Sequence, residues 1–190
     1  MPTILCWLQK HRNKLRNLTD MPKNVILTGP PGAGKTKVIK RLLKDLTALI
    51  VHGFYKESII ENNVCKGFRT ITTDLREQIL AHQYIEGPNR IGEFGVNIEG
   101  FEKLVLPQLV LNRGTELFVV DEIGRMECLS MAFCQQIKTI IASDYPLIAT
   151  LATGAIPAMA ELKARSDVVF IQITKRNQDS VWKTVLTALS

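Results

Sequence analysis

The chain contains no run of 18 uninterrupted apolar residues, so no stretch reads as a membrane-spanning helix. Its first apolar run, Ile4–Leu8, is too short for a secretory leader, and the basic residues mostly follow it. The four cysteines (Cys6, Cys65, Cys128, Cys134) form no CxxC pair, and the three histidines (His11, His52, His82) are scattered. That spacing excludes a zinc site and predicts reduced, buried thiols in a reducing compartment. Aromatics are only 6% of residues and are not interleaved with basic ones, which argues against a single-strand nucleic-acid face. Repeats and low-complexity tracts are absent. What remains is an ordinary globular composition, 46% hydrophobic and 22% charged over 190 residues. At this length folding buries roughly 70% of the unfolded chain's surface, enough for a full core without staples. The reading is one soluble cytoplasmic domain.

The net charge of +6 is unevenly spread. Residues 1–23 hold Lys10, Arg12, Lys14, Arg16 and Lys23 against Asp20, a balance of +4 that leaves +2 for the rest. Ile4, Leu8, Leu15 and Leu18 recur at helical spacing over 3–19, so residues 1–22 read as a basic helical extension ahead of a domain spanning 23–190. That extension is the one feature suggesting a nucleic-acid or protein partner. The chain is otherwise expected to act as a monomer.

Strands and helices alternate from Asn24 onward. Val25–Leu27 reads as a buried strand, followed by a Gly/Pro turn and a helix from about 34 to 46. Val38, Ile39, Leu42, Leu43 and Leu46 face its core side, and Lys37, Lys40, Arg41 and Lys44 form a solvated outer face. A second strand is expected at 49–51. A hairpin follows (53–61 and 64–73) through Asn62-Asn63, because asparagine tolerates the positive φ of such a turn. Asn97 is expected to cap a helix to about 112, with Pro107 as a kink or break. Further elements are a strand at 117–120, a helix near 129–142, a strand at 147–151, a short helix near 157–165, a strand at 168–173 and a last helix over 178–189. This alternation predicts a three-layer α/β fold with a mostly parallel sheet and an inserted β-hairpin.

The turn after the first strand is Gly29-Pro30-Pro31-Gly32-Ala33-Gly34-Lys35-Thr36, the pattern G-x-x-x-x-G-K-[ST] between a strand and a helix. Its glycines let the backbone wrap so that successive N–H groups point at phosphate oxygens. Lys35 carries a point charge to the β- and γ-phosphates, and the Thr36 hydroxyl is a Mg²⁺ ligand. The chain therefore binds a nucleoside triphosphate.

Leu117-Phe118-Val119-Val120-Asp121-Glu122 has the form of a Walker B strand. Asp121 at its carboxyl end is the second candidate Mg²⁺ ligand, directly or through a water. Glu122 occupies the place where P-loop ATPases with an extra strand between the two Walker strands carry their water-activating glutamate. A carboxylate there orients and deprotonates water, a role worth about 10²–10⁴-fold. Charge on the γ-phosphoryl also calls for a cation. Arg125, on the loop after this strand, is the first candidate, with Arg165 and Arg176 bordering the last strand as alternatives.

On these residues the chain resembles the small P-loop nucleoside-triphosphatases that include the cancer-related nucleoside-triphosphatase and its archaeal and bacterial relatives. The matching segments are GPPGAGKT (29–36), GFYKE (53–57), KGF (66–68), GEFGVNIEGFE (92–102), VVDEIGRMEC (119–128) and ARSDVVFIQITKRNQD (164–179). The resemblance implies a RecA-like fold of the additional-strand, catalytic-glutamate type. It implies slow, Mg²⁺-dependent hydrolysis of ATP, GTP and other NTPs to NDP and phosphate. It places Gly29–Thr36 and the stretch Leu117–Val120, Asp121, Glu122, Ile123 and Gly124 at the nucleotide, and the pair Thr174/Asn177 near the base. Residues 1–22 have no counterpart in it. Lys56 stands where the family usually has a hydroxyl, which puts a polar role of that position in doubt, while Tyr55 and Glu57 remain near-site candidates.

Two other functions fit a P-loop. A nucleotide or nucleoside kinase would transfer phosphate to an acceptor, but such kinases carry an arginine-rich lid, and 83–96 offers only Arg90. A nucleotide-controlled switch would use residues 1–22 to dock a partner.

Overall fold

The structure, a computed structural model, describes residues 23–153 and 157–188. The N-terminal helical extension expected over 1–22 lies outside them. A nine-stranded sheet runs in the order β5-β6-β4-β3-β2-β7-β8-β1-β9. Its parallel half contains β2 (Val51–Glu61), β7 (Leu117–Ile123), β8 (Leu147–Leu151), β1 (Asn24–Thr28) and β9 (Val168–Gln172). β8 lies between β1, which leads into the glycine-rich turn, and β7, which ends in Asp121 and Glu122. The extra strand expected from Glu122 is therefore present.

Strand pleating sorts the apolar residues onto two faces. Ile26, Phe118, Val120 and Ala149 point to one face and pack with α2 (Ile98–Val105) and α3 (Met131–Ala142). Phe54, Phe101 and Phe133 meet edge to face there, with centroids 5.3–5.9 Å apart. Val25, Leu27, Leu117, Val119 and Ile148 point the other way, onto α1 (Lys35–Asp45) and α4 (Val181–Ala188). The continuous apolar runs of β1 and β7 follow from this covering on both sides.

Local chemistry sets the element ends. Asn97 caps α2 by accepting from the Gly100 N–H at 2.9 Å, and Ser130 caps α3 by accepting from Phe133 at 3.0 Å. Asn62 and Asn63 take φ of 49° and 61° in the hairpin turn. The outer face of α1 is ion-paired: Lys37 with Asp179, Lys40 with Glu57, and Arg41 with Asp45. Cys65, Cys128 and Cys134 are free thiols, and burial pushes the Cys128 thiol up.

Several elements differ from the sequence reading. The expected strand at 49–51 and the first hairpin arm are one strand, β2, parallel to β7 over Val51–Phe54 and antiparallel to β3 (Val64–Thr72) from Phe54 onward. The inserted hairpin is the start of a larger antiparallel half, continued by β4 (Glu77–His82), β6 (Phe94–Val96) and β5 (Arg90–Ile91). The sheet is thus half parallel rather than mostly so. Of the two outcomes expected at Pro107 the helix takes the break: α2 stops at Val105, short of the expected end near 112, and Leu106–Leu109 forms a 3₁₀ turn. The short helix expected near 157–165 is present as a 3₁₀ helix over Pro157–Ala164.

Candidate active site

Three segments converge at the carboxyl ends of the parallel strands, where open α/β sheets place their ligands. They line an open cleft of about 510 Å³. One wall is the turn between β1 and α1, contributing Pro31, Gly32, Gly34, Lys35 and Thr36. The floor comes from the end of β7 and the turn behind it, with Asp121, Glu122, Arg125, Met126 and Glu127. The far wall is the β2–β3 hairpin, which rises past the parallel part of the sheet and overhangs the cleft with Lys56, Ser58 and Phe68.

The glycine-rich turn is held by the chain's own backbone. Ala33 N–H donates to the Pro30 carbonyl at 3.1 Å, and Gly34 precedes α1 with φ +96°. A Cβ on Gly34 would sit 2.2 Å from the Gln178 side chain, so the turn and the loop after β9 are packed tightly. Lys35 Nζ donates to the Gly29 carbonyl at 2.9 Å and lies 3.5 Å from Glu122 Oε1.

Asp121 is 1% exposed. Its Oδ1 accepts a 2.6 Å hydrogen bond from Thr150 Oγ1 on β8, while Oδ2 has no hydrogen-bond partner among the described residues. Burial pushes the Asp121 carboxyl up, and the hydroxyls of Thr150 and Thr36 oppose that rise. A buried carboxylate oxygen with an unused lone pair beside the Thr36 hydroxyl suits a hard divalent cation.

Glu122 faces two ammonium groups. Its Oε1 is near Lys35, and its Oε2 is 3.2 Å from Lys56 Nζ. Lys56 also donates to Glu127 Oε1 at 2.8 Å, and the Glu127 side chain is wholly buried. Burial pulls the Lys56 ammonium down, but the carboxylates of Glu127 and Glu122 outweigh it and leave it raised. Burial pushes Glu127 up, against the pull of Lys56.

The expected site residues divide into groups. Lys35, Thr36, Asp121, Glu122 and Arg125 share the cleft with Pro31, Gly32 and Gly34. Gly29, Pro30 and Ala33 shape the turn from behind. Leu117, Phe118, Val119, Val120 and Ile123 lie in the core, at most 2% exposed, so they carry the reactive end of β7 rather than line the cleft. Gly124 is buried directly after β7, close to the Glu122 and Glu127 carboxylates. Arg125 is exposed on the rim. Arg165 pairs with Asp167 just before β9, at the opposite end of the sheet from the cleft, which removes it as an alternative. Asn177 lies outside the cleft: its Oδ1 accepts from Thr174 N–H at 2.8 Å and its Nδ2 donates to the Gln172 carbonyl at 2.9 Å. Tyr55 and Glu57 face α1, where both meet Lys40. Lys56 and Glu127 were not assigned roles from the sequence. Strand alternation was the available signal for Lys56, since it turns the residue between Tyr55 and Glu57 to the opposite face.

Comparison with known proteins places this geometry among relatives. A family model described as NTPase matches residues 24–186. The nucleoside-triphosphatase THEP1 of Thermotoga maritima is 35% identical over 166 residues, covering 87% of this chain and 94% of its own. The human cancer-related nucleoside-triphosphatase is 30% identical over 189 residues, with 89% and 97% covered. Among solved structures, THEP1 from Aquifex aeolicus superposes with a TM-score of 0.80 at 28% identity, covering 88% of this chain and 99% of that one.

Proposed function

The chain belongs to the NTPase family of P-loop nucleoside-triphosphatases and hydrolyses nucleoside triphosphates; from that premise we propose how its residues divide the work. The glycine-rich turn and Lys35 hold the β- and γ-phosphates. Thr36 and Asp121 hold Mg²⁺, whose chemistry when bound is to neutralise charge on the phosphate oxygens. Glu122 orients the attacking water and takes its proton as the new P–O bond forms and the bond to the β-phosphate oxygen breaks. NDP and inorganic phosphate are the products, and Glu122 returns the proton to solvent. Arg125 adds positive charge at the rim as the γ-phosphoryl is transferred.

The observation that carries this reading is the meeting of Glu122 with the turn lysine, 3.5 Å apart, next to an aspartate with a buried oxygen that has no hydrogen-bond partner among the described residues. A carboxylate so close to the phosphate-binding lysine sits beside the terminal phosphate once a triphosphate occupies the turn. Hydrolysis then needs no second substrate.

The loop after β9 supports a broad choice of base. The side-chain amides of Asn177 and Gln178 donate to carbonyls of their own segment, Gln172 and Lys175. Neither is reserved for a base edge, so ATP, GTP, CTP and UTP are all expected to serve. The test is phosphate release from each of the four, with Mg²⁺ and with EDTA, and without any acceptor. Release from several NTPs that stops with EDTA supports the proposal. Tight nucleotide binding with no release until an acceptor is added would favour phosphotransfer instead.

A further inference from the structure

Lys56 is the residue of the cleft whose position the hydrolytic reading leaves unexplained. It lies in β2 two residues beyond the last pairing with β7, on the arm that overhangs the cleft. Its side chain is 15% exposed and packs over the Phe68 ring, with Nζ 5.4 Å from the centroid. Withdrawing an ammonium this far from water is costly unless carboxylates receive it. Two do: Glu127 at 2.8 Å and Glu122 at 3.2 Å.

We propose that Lys56 is a positioning residue for Glu122, anchored from below by Glu127, and that it keeps hold of Glu122 when a nucleotide draws Lys35 away. The proposal rests on Glu122 being the water activator. In the structure each oxygen of Glu122 faces a different lysine, Oε1 toward Lys35 and Oε2 toward Lys56. Lys35 is the phosphate-binding cation of its turn, so a triphosphate competes with Glu122 for it. Lys56 has a different commitment. Its other partner, Glu127, is wholly buried, and among the described residues Lys56 is the only cation paired with that carboxylate, whose Oε2 has no hydrogen-bond partner there. Glu127 fixes the ammonium, and the ammonium fixes Glu122 Oε2.

The chain makes room for this arrangement at Gly124. A Cβ there would stand 2.6 Å from Glu127 Oε2 and 3.3 Å from Glu122 Oε2. The missing side chain lets both carboxylates close on the same ammonium. The 3₁₀ turn Glu127–Leu129 then turns Glu127 inward beneath the cleft. Lys56, Glu122, Gly124 and Glu127 thus form one unit: a base, the cation that aims it, and the buried acid that aims the cation.

A double-mutant cycle separates this role from direct contact with phosphate. The variants are Lys56→Met, Glu122→Gln and the pair, with kcat and KM measured for Mg·ATP. A misplaced catalytic group costs up to about 10²-fold, so Lys56→Met is expected to lower kcat about 10- to 100-fold while KM changes less than about threefold. In the Glu122→Gln background the same substitution is expected to cost less than about threefold. Lys56→Arg should recover a measurable part of kcat, because an ammonium and a guanidinium both donate to Glu122. Lys56→Met leaves Glu127 buried without its partner, so Lys56→Met/Glu127→Gln, which removes both charges, is the control free of an unpaired buried carboxylate, its folding checked by thermal unfolding, with the same expected loss in kcat. An equal loss in both backgrounds would overturn the proposal in favour of a phosphate contact. A rise in KM with kcat intact would overturn it in favour of a binding role. Full turnover in Glu122→Gln alone would instead refute the water-activator reading beneath it.

Discussion

Replacing Thr150 by valine keeps the shape of the side chain and removes one hydrogen-bond donor. Thr150 is wholly buried on β8, and its hydroxyl is the 2.6 Å donor to Asp121 Oδ1. The other oxygen of Asp121 has no hydrogen-bond partner among the described residues, so Thr150→Val strips the buried carboxylate of the donor to Oδ1. A hydrogen bond to a charged group is worth about 1.5–3 kcal/mol. In a domain of this length each kcal/mol moves Tm by about 2–4 °C, so the variant should melt roughly 3–12 °C below the parent. The assay is thermal unfolding of the full chain in EDTA without nucleotide, so that ligand binding does not mask the loss. Thr150→Ser is the control: it keeps the hydroxyl and loses one methyl, costing about 0.5–1.5 kcal/mol. A valine variant that melts with the parent, or a serine variant that falls as far as valine, would refute the argument. In either case the donor from β8 would not be what steadies Asp121.

Gly53→Ala should destabilise more, because φ there is +137° and a Cβ would lie 1.8 Å from the Val119 carbonyl oxygen on β7. Strain of about 1–3 kcal/mol plus the forced separation of β2 from β7 predicts a Tm loss of at least 5 °C by calorimetry, and a loss under 2 °C would show that the strands tolerate the methyl. Lys35→Ala should abolish productive triphosphate binding, read by titration of a fluorescent nucleotide; near-normal affinity would remove the glycine-rich turn from the site. Arg125→Ala, at an exposed rim position, should leave Tm within about 1 °C and lower kcat about tenfold, since a cation supplied to the γ-phosphoryl is worth at least that much. A kcat loss under threefold would take Arg125 out of catalysis.

The parts of the site that were legible in the sequence are those in which the chemistry is consecutive. Gly29–Thr36 and Asp121-Glu122 each pack their proposed function into neighbouring residues, and strand–turn–helix periodicity around them sets their place in the fold. Glu122 also indicated β8 between β1 and β7 before any topology was known. The rest depends on contacts that local pattern does not encode. β5 and β6 are two and three residues long, too short for alternation to register, and so the antiparallel half read as a single hairpin. The change of pairing at Phe54, parallel before and antiparallel after, made one long strand look like two. Thr150 is one hydroxyl in an apolar run, and only β8's place beside β7 gives it a partner. Lys56 and Glu127 are 71 residues apart in sequence and meet only because the hairpin overhangs the turn after β7. Asn177 carried a match to a pattern, yet its amide closes its own turn.

The account depends most on Glu122. Single-turnover hydrolysis of Mg·ATP by Glu122→Gln, with nucleotide affinity measured on the same preparation, addresses it directly. The account predicts affinity within about threefold of the parent and a chemical step slower by about 10²-fold or more. An unchanged rate at unchanged affinity would contradict it and assign water activation to another group.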